Sequence, residues 1–200
     1  MIEDGLHTEW WENGQKKLEV TYKDGKPDGL GIVWYKNGQK KSEVTSKDGK
    51  PNGLGTWWNV NGHKEMERTY KDGELDGLET HWYENGQKKE EFTWKDGRLN
   101  GLKTNWYENG QKKLEGTQKD GNWDGLFTTW HENGQKMQET DFNNGEPIGV
   151  FTMWFENGRM KSKGTYNEGE LVSQEFWDEN GNKKRLNDCN QHRATGVFCL

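Results

Sequence analysis

Five histidines, two cysteines and a spaced series of aspartates are the side chains here that could ligate a metal or move a proton. His7, His63, His81, His131 and His192 share no common position of the repeating pattern described below, so they give no common ligand set. Solvent-facing or strand-face histidine is the plainer reading of each. Cys189, His192 and Cys199 form a Cys-x-x-His…Cys pattern near the C-terminus. It lacks the paired Cys-x-x-Cys knuckle of a structural zinc site, which leaves two free thiols, a disulfide or a weak metal site as readings. Asp24, Asp48, Asp72, Asp96 and Asp120 each precede a glycine and lack EF-hand spacing, so turn chemistry accounts for them. No serine or cysteine lies in a nucleophile motif. The expectation is a chain that is not an enzyme, with no catalytic residues, no metal and no cofactor.

The aromatic residues carry the stronger signal. Trp10, Trp34, Trp58, Trp82, Trp106, Trp130 and Trp154 recur every 24 residues. Identity at every copy suits packing, and these seven are assigned a structural role. A second row follows one position later: Trp11, Tyr35, Tyr83, Tyr107 and Phe155, interrupted at Asn59 and His131. A row that tolerates interruption is the candidate exposed binding row, suited to stacking on a protein or a glycan.

These rows need a scaffold that places equivalent residues side by side. Asn-Gly recurs at 13–14, 37–38, 61–62, 85–86, 109–110, 133–134 and 157–158, and an opening glycine at Gly5, Gly29, Gly53, Gly77, Gly101, Gly125 and Gly149. Such a fixed period marks an array of identical supersecondary units. Within the first unit, Leu6, Thr8 and Trp10 alternate with His7 and Glu9, and Leu18, Val20 and Tyr22 alternate with Lys17, Glu19 and Thr21. Period-2 alternation predicts two strands. Asn13-Gly14 predicts a two-residue type I′ turn between them, with Trp10 facing Lys17, Thr8 facing Glu19 and Leu6 facing Thr21. A second two-residue turn at Asp24-Gly25 would pair Glu19 with Leu30. That arithmetic staggers the register by two residues per repeat unless a bulge near Pro27 intervenes. The fold class expected is all-β: an elongated antiparallel sheet of tandem β-hairpins forming a coiled open meander. Residues 1–181 hold seven copies and a degenerate eighth at Phe176 to Gly181. Residues 182–200 form a tail with one short strand at Thr195 to Leu200.

Composition restricts partners. Hydrophobic residues are 28% and charged residues 31% of the chain, with a net charge of −6 and both signs interleaved. Disorder would fit those fractions, but the tryptophan spacing argues for order without a central core. No basic stripe suits nucleic acid or an anionic membrane surface, and no apolar run approaches the ~20 residues of a membrane-spanning helix. The opening Met1-Ile2-Glu3-Asp4 is unlike a secretory signal. The cytoplasm is therefore the default location, with secretion or surface display the alternative if a leader precedes this sequence. An open strand edge at Leu6 makes homodimerisation through the sheet edge a further expectation.

Gly-Leu-x-Thr-x-Trp-Tyr-Glu-Asn-Gly-Gln-Lys-Lys, seen at 78–90 and 102–114, and Tyr-Lys-Asp-Gly-Lys-x-Asp-Gly at 22–29 resemble MORN repeats. The closer resemblance is to the bacterial variant in YwqK-type antitoxin-component proteins, over about residues 4 to 184. It implies hairpins in a row and no catalytic residues. For function it implies a non-catalytic scaffold for protein–protein interaction, with a toxin as the antitoxin-like partner. The alternative is a carbohydrate or cell-surface binding module using the aromatic rows. It resembles glucan-binding repeats less well, because their Gly-Trp pair and Tyr-Tyr-Phe run are absent.

Overall fold

The computed structural model describes residues 3–184, which are all strands and turns. The Cys189–His192–Cys199 pattern and the strand expected at Thr195 to Leu200 lie outside the described residues. Fifteen antiparallel strands follow in chain order as an open sheet of tandem hairpins. The chain divides into a unit ending at Gly101 and a unit beginning at Leu102. The first contains β1 (Gly5–Trp10), β2 (Lys16–Lys23), β3 (Lys26–Trp34), β4 (Lys40–Lys47), β5 (Lys50–Trp58), β6 (Lys64–Lys71), β7 (Glu74–Trp82) and β8 (Lys88–Lys95). β9 (Arg98–Trp106) begins in the first unit and ends in the second. The second continues with β10 (Lys112–Lys119), β11 (Asn122–Trp130), β12 (Lys136–Asn143), β13 (Glu146–Trp154), β14 (Met160–Asn167) and β15 (Glu170–Phe176).

The two turns of each repeat differ in kind. At Asp24-Gly25 both residues have positive φ, 50° and 70°, and Lys23 pairs with Lys26. This is the two-residue type I′ hairpin that the sequence predicts. Asn13-Gly14 departs from that expectation. The Trp11 N–H bonds the Gln15 carbonyl at 2.8 Å, the Gly14 N–H bonds the Trp11 carbonyl at 2.9 Å, and only Gly14 is left-handed, with φ 81°. A three-residue loop of this kind ends in a glycine bulge. The longer loop places Trp10 opposite Lys16 instead of Lys17. A second bulge, at Lys17 between the Glu9 and Trp10 pairs, restores the register so that Leu6–Thr21 and Thr8–Glu19 pair as expected.

The staggered register does not form. Tyr22 pairs with Pro27, but Val20 pairs with Gly31 and Glu19 with Ile32 in place of Leu30. Asp28, Gly29 and Leu30 therefore stand opposite Thr21 alone. This bulge restores the register, so that Leu18 faces Glu9 on one side and Val33 on the other. Two features hold it. Gly29 takes φ 117°, closed to most side-chain-bearing residues. The Pro27 carbonyl also accepts the Gly49 N–H of the next turn at 2.8 Å, and the Asp28 carboxylate accepts the Asp48 N–H at 3.2 Å. The Pro51, Leu75 and Trp123 carbonyls accept from Gly73, Gly97 and Gly145 in the same way, so these bulges are ledges for the turns that follow.

With the register restored, equivalent residues form straight rows. In the first unit Thr8, Glu19, Ile32, Glu43, Thr56, Glu67, Thr80 and Glu91 stand opposite one another in succession. Threonine sits at the centre of this face, where Thr56 is 3% exposed. Large buried apolar residues are scarce: Val20 in the first unit and Phe151 in the second. Among the described residues neither unit has an apolar core of the usual kind, so strand-to-strand contacts must supply the stability.

Gly77 repeats the bulge with φ 118°, and an added Cβ would meet the Thr69 Cβ at 3.0 Å. Gly77→Ala is expected to cost roughly 1–3 kcal/mol, read as a lower urea midpoint. An unchanged midpoint would mean that the bulge relaxes without cost.

Candidate functional site

The main tryptophan row is built from pairs of neighbouring repeats. The Lys16 ammonium lies 5.5 Å from the Trp34 ring centroid, Lys40 5.6 Å from Trp58, and Lys64 5.0 Å from Trp82. The second unit repeats this with Lys112 over Trp130 at 5.7 Å and Lys136 over Trp154 at 5.9 Å. Each lysine also pairs with the glutamate three residues on, as Lys40 does with Glu43 at 2.6 Å. The lysine that serves a tryptophan thus comes from the preceding repeat, not from the Lys17 position of its own hairpin. The bulge after Gln15 turns Lys16 toward Trp34 and leaves Lys17 beside Trp11 and Glu9. Trp10 is 58% exposed, while Trp34, Trp58, Trp82, Trp106, Trp130 and Trp154 are half-buried.

The second row, expected to be exposed, is half-buried at Trp11, Tyr35, Tyr83, Tyr107 and Phe155. Its polar tips reach the next repeat. The Trp11 Nε1–H donates to the Trp34 carbonyl at 3.2 Å, the Tyr35 hydroxyl to Trp58 at 3.0 Å, and the Tyr107 hydroxyl to Trp130 at 2.8 Å. His131, which reads as an interruption in the sequence, does the same work: its Nε2 lies 3.0 Å from the Trp154 carbonyl. Trp11, Tyr35, Tyr107 and His131 share an aromatic ring bearing a polar hydrogen-bonding atom, which Phe155 lacks. Lysines flank this row too, with Lys89 over Tyr83 at 5.8 Å and Lys161 over Phe155 at 5.7 Å.

The asparagines of the loops add a third tie. Asn13 accepts the Gln15 N–H within its loop and donates from Nδ2 to the Lys36 carbonyl at 2.7 Å. Asn37, Asn109 and Asn133 reach Val60, Glu132 and Glu156 in the same manner. At the end of the second unit, Asn157 reaches the Glu179 carbonyl, and Trp177 bridges to Lys183. Sequence reading assigns these asparagines to turn conformation alone and misses this tie. The signal for it is their 24-residue spacing.

The histidines among the described residues do not converge. His7 packs edge-on against Tyr22, His63 is exposed on its loop, and His131 belongs to the second row. His81 joins a charged cluster with Glu79 and Arg68. Its Nε2 lies 2.6 Å from Glu79 Oε1, and Arg68 Nη2 lies 3.1 Å from the same oxygen. Glu79 is buried, and its Oε2 has no hydrogen-bond partner among the described residues. Burial raises the Glu79 carboxyl, but the hydrogen bond to His81 and the charge of Arg68 outweigh it, and the group sits below its ordinary range. Among the described residues no group of three or more His, Cys, Asp or Glu side chains is placed to hold a metal. Among the same residues no helix is long and apolar enough to cross a membrane.

With this geometry in view, the family model described as MORN repeat variant matches residues 3–24, 27–48, 75–96, 99–120, 123–144 and 147–168. The chain belongs to the MORN repeat variant family. No curated protein matches it. The third repeat, between the matched segments ending at 48 and beginning at 75, nevertheless folds as the MORN-type hairpin of β5 and β6. What departs there is the identity of the loop residues Asn59, Val60 and His63, not the ladder.

Two outcomes follow for this MORN-variant array. Tyr107→Phe removes one hydroxyl bond to the Trp130 carbonyl and should cost about 1 kcal/mol, read from thermal or urea unfolding. Glu79→Gln is expected to lose about 1–3 kcal/mol at pH 7. Because the folded Glu79 carboxyl lies low, its contribution is complete above the unfolded carboxylate value, about 4.3. It disappears as the pH falls through the lower folded value. Urea midpoints of wild type and E79Q should therefore converge in acid, and a gap that persists there would show that charge is not its source.

Proposed function

We propose that this MORN-variant chain is a non-catalytic scaffold that binds a protein partner across one face of its repeats. One observation carries the reading: an aliphatic side chain stands exposed at the same place in successive repeats. In the first unit Leu6, Leu30, Leu54 and Leu78 are exposed, Leu54 and Leu78 each by 52%; in the second, Leu102, Leu126 and Val150 are exposed. Each residue occupies the same place in its repeat, with a polar partner across the ladder: Thr45 for Leu30, Thr69 for Leu54, Asp141 for Leu126 and Thr165 for Val150. Contiguous exposed apolar surface rimmed by polar groups is the usual mark of protein docking. Repetition multiplies one surface and does not gather different groups at one point, which suits binding over catalysis. The aromatic rows favour a protein over a glycan as partner, because lysine ammoniums and carbonyl ties already engage these rings.

The finer reading is an antitoxin-like role, in which the scaffold binds and neutralises a protein toxin. It rests on the resemblance to YwqK-type sequences. Capture from the native host's lysate, followed by mass spectrometry, tests the scaffold. A single protein recovered in stoichiometric amount by wild type, and lost with Leu54→Ser/Leu78→Ser while the circular dichroism is unchanged, is the expected result. Equal recovery by both proteins would remove the aliphatic column from the interface. Recovery of no partner would overturn the scaffold reading. If the captured protein arrests growth when expressed alone and ceases to do so on co-expression, the antitoxin role follows.

A further inference from the structure

Departures from the repeat pattern converge on one place in the first unit. The residue before the loop asparagine is glutamate at Glu12, Glu84, Glu108, Glu132, Glu156 and Glu179, but Lys36 and Val60 in the second and third repeats. Asn59 stands where five other repeats carry Trp, Tyr or Phe in the second row. Between these loops lies an open depression of about 540 Å³, lined by Trp11, Val33, Tyr35 and Val60 and by the ammonium-bearing Lys17, Lys36 and Lys41. Val60 is 51% exposed.

The charges at this depression are not balanced as they are along the main row. Lys16 and Lys40 each hold a glutamate, and Lys17 holds Glu9 at 2.8 Å. Lys36 and Lys41 have no carboxylate within ion-pair reach among the described residues. Lys36 lies 5.3 Å from the Trp11 ring centroid and Lys41 5.7 Å from that of Tyr35. The loop positions that elsewhere present a negative charge here present a cation and an aliphatic group. An apolar floor with two uncompensated ammoniums selects for a ligand that is apolar in the middle and anionic at its flanks.

We propose that this depression receives a bulky apolar side chain from a partner protein segment that carries carboxylates on either side of it. The site rests on the scaffold reading and adds the chemistry of one partner segment, at a place separate from the aliphatic column. A sugar fits less well, because two lysines already face Trp11, at 5.5 Å and 5.3 Å. Nucleic acid fits less well, since Glu84 replaces Lys36 two loops further along and no basic track continues.

The test uses the purified full chain and fluorescence anisotropy with three labelled peptides: Asp-Glu-Leu-Phe-Asp-Glu, Lys-Lys-Leu-Phe-Lys-Lys and Asp-Glu-Ser-Gly-Asp-Glu. Lys36→Glu and Val60→Glu each install the residue that most other loops carry, so the hairpins should survive, and circular dichroism checks this. The first peptide is expected to bind wild type saturably and the other two about tenfold more weakly or less. Either substitution should weaken the first peptide by about tenfold or more. No saturable binding up to about 1 mM, the weak limit for a specific contact, overturns the proposal. So does equal binding by both variants, preference for the basic peptide, displacement by cellohexaose, or displacement by self-association seen in sedimentation. Failure of the peptide while lysate capture succeeds sinks this site alone; failure of capture sinks the scaffold reading.

Discussion

Repeats are held together by lending backbone carbonyls to their neighbours on either side. The Trp34 carbonyl accepts from Trp11, the Lys36 carbonyl from Asn13, and the Pro27 carbonyl accepts from Gly49 of the turn that follows. The second unit has the same ties at Trp130, Glu132 and Trp123. Loops at both ends of a strand would otherwise leave such groups to water. With so little apolar surface buried, directional bonds of this kind, together with the ladder, take the part that a core takes in a globule. They also demand an unvarying register, because a side chain must meet the same carbonyl at every step. The bulge at Asp28-Gly29-Leu30 is the price of that register.

The high charge of the chain is consistent with the same constraint. Lysine stems cover tryptophan while their ammoniums reach glutamate, so one long side chain packs, stacks and pairs at once. Each pair is exposed and worth little alone. Repetition places one at successive hairpins, where it shields rings that would otherwise be open to solvent. Mixed charge is therefore part of the packing.

Constraint also separates the surface into parts that can vary and parts that cannot. The left-handed turn residue is Asp at Asp48 and Asp72, Asn at Asn144 and Glu at Glu168, yet φ stays near 50° throughout. The second row changes from Trp11 to Tyr107 to His131 and keeps its carbonyl bond. By contrast, the loop position held by Lys36 and Val60 contributes its backbone carbonyl to the array. Its side chain is free to differ, and specificity for a partner can be written there without cost to the fold.

Much of this was legible in the sequence. Asp-Gly at 24–25 specified its turn through local backbone preference, and the alternation of Leu6, Thr8 and Trp10 specified a strand face. The 24-residue period specified an array of hairpins, because side chains can repeat so strictly only where their surroundings repeat. The sequence could not show which neighbour each side chain would meet. Asn13-Gly14 is compatible with a two-residue or a three-residue loop, and the difference of one residue decides whether Lys16 or Lys17 lies opposite Trp10 and joins the main tryptophan row. Pairing at Glu19 with Leu30 or with Ile32 depends on a bulge held partly by Gly49 and Asp48 of the following turn. Local chemistry determined the turns and strands, since these need only a few adjacent residues. Register, the burial of the second aromatic row and the depression beside Val60 were decided by the tertiary structure, because each depends on bonds between repeats about 24 residues apart.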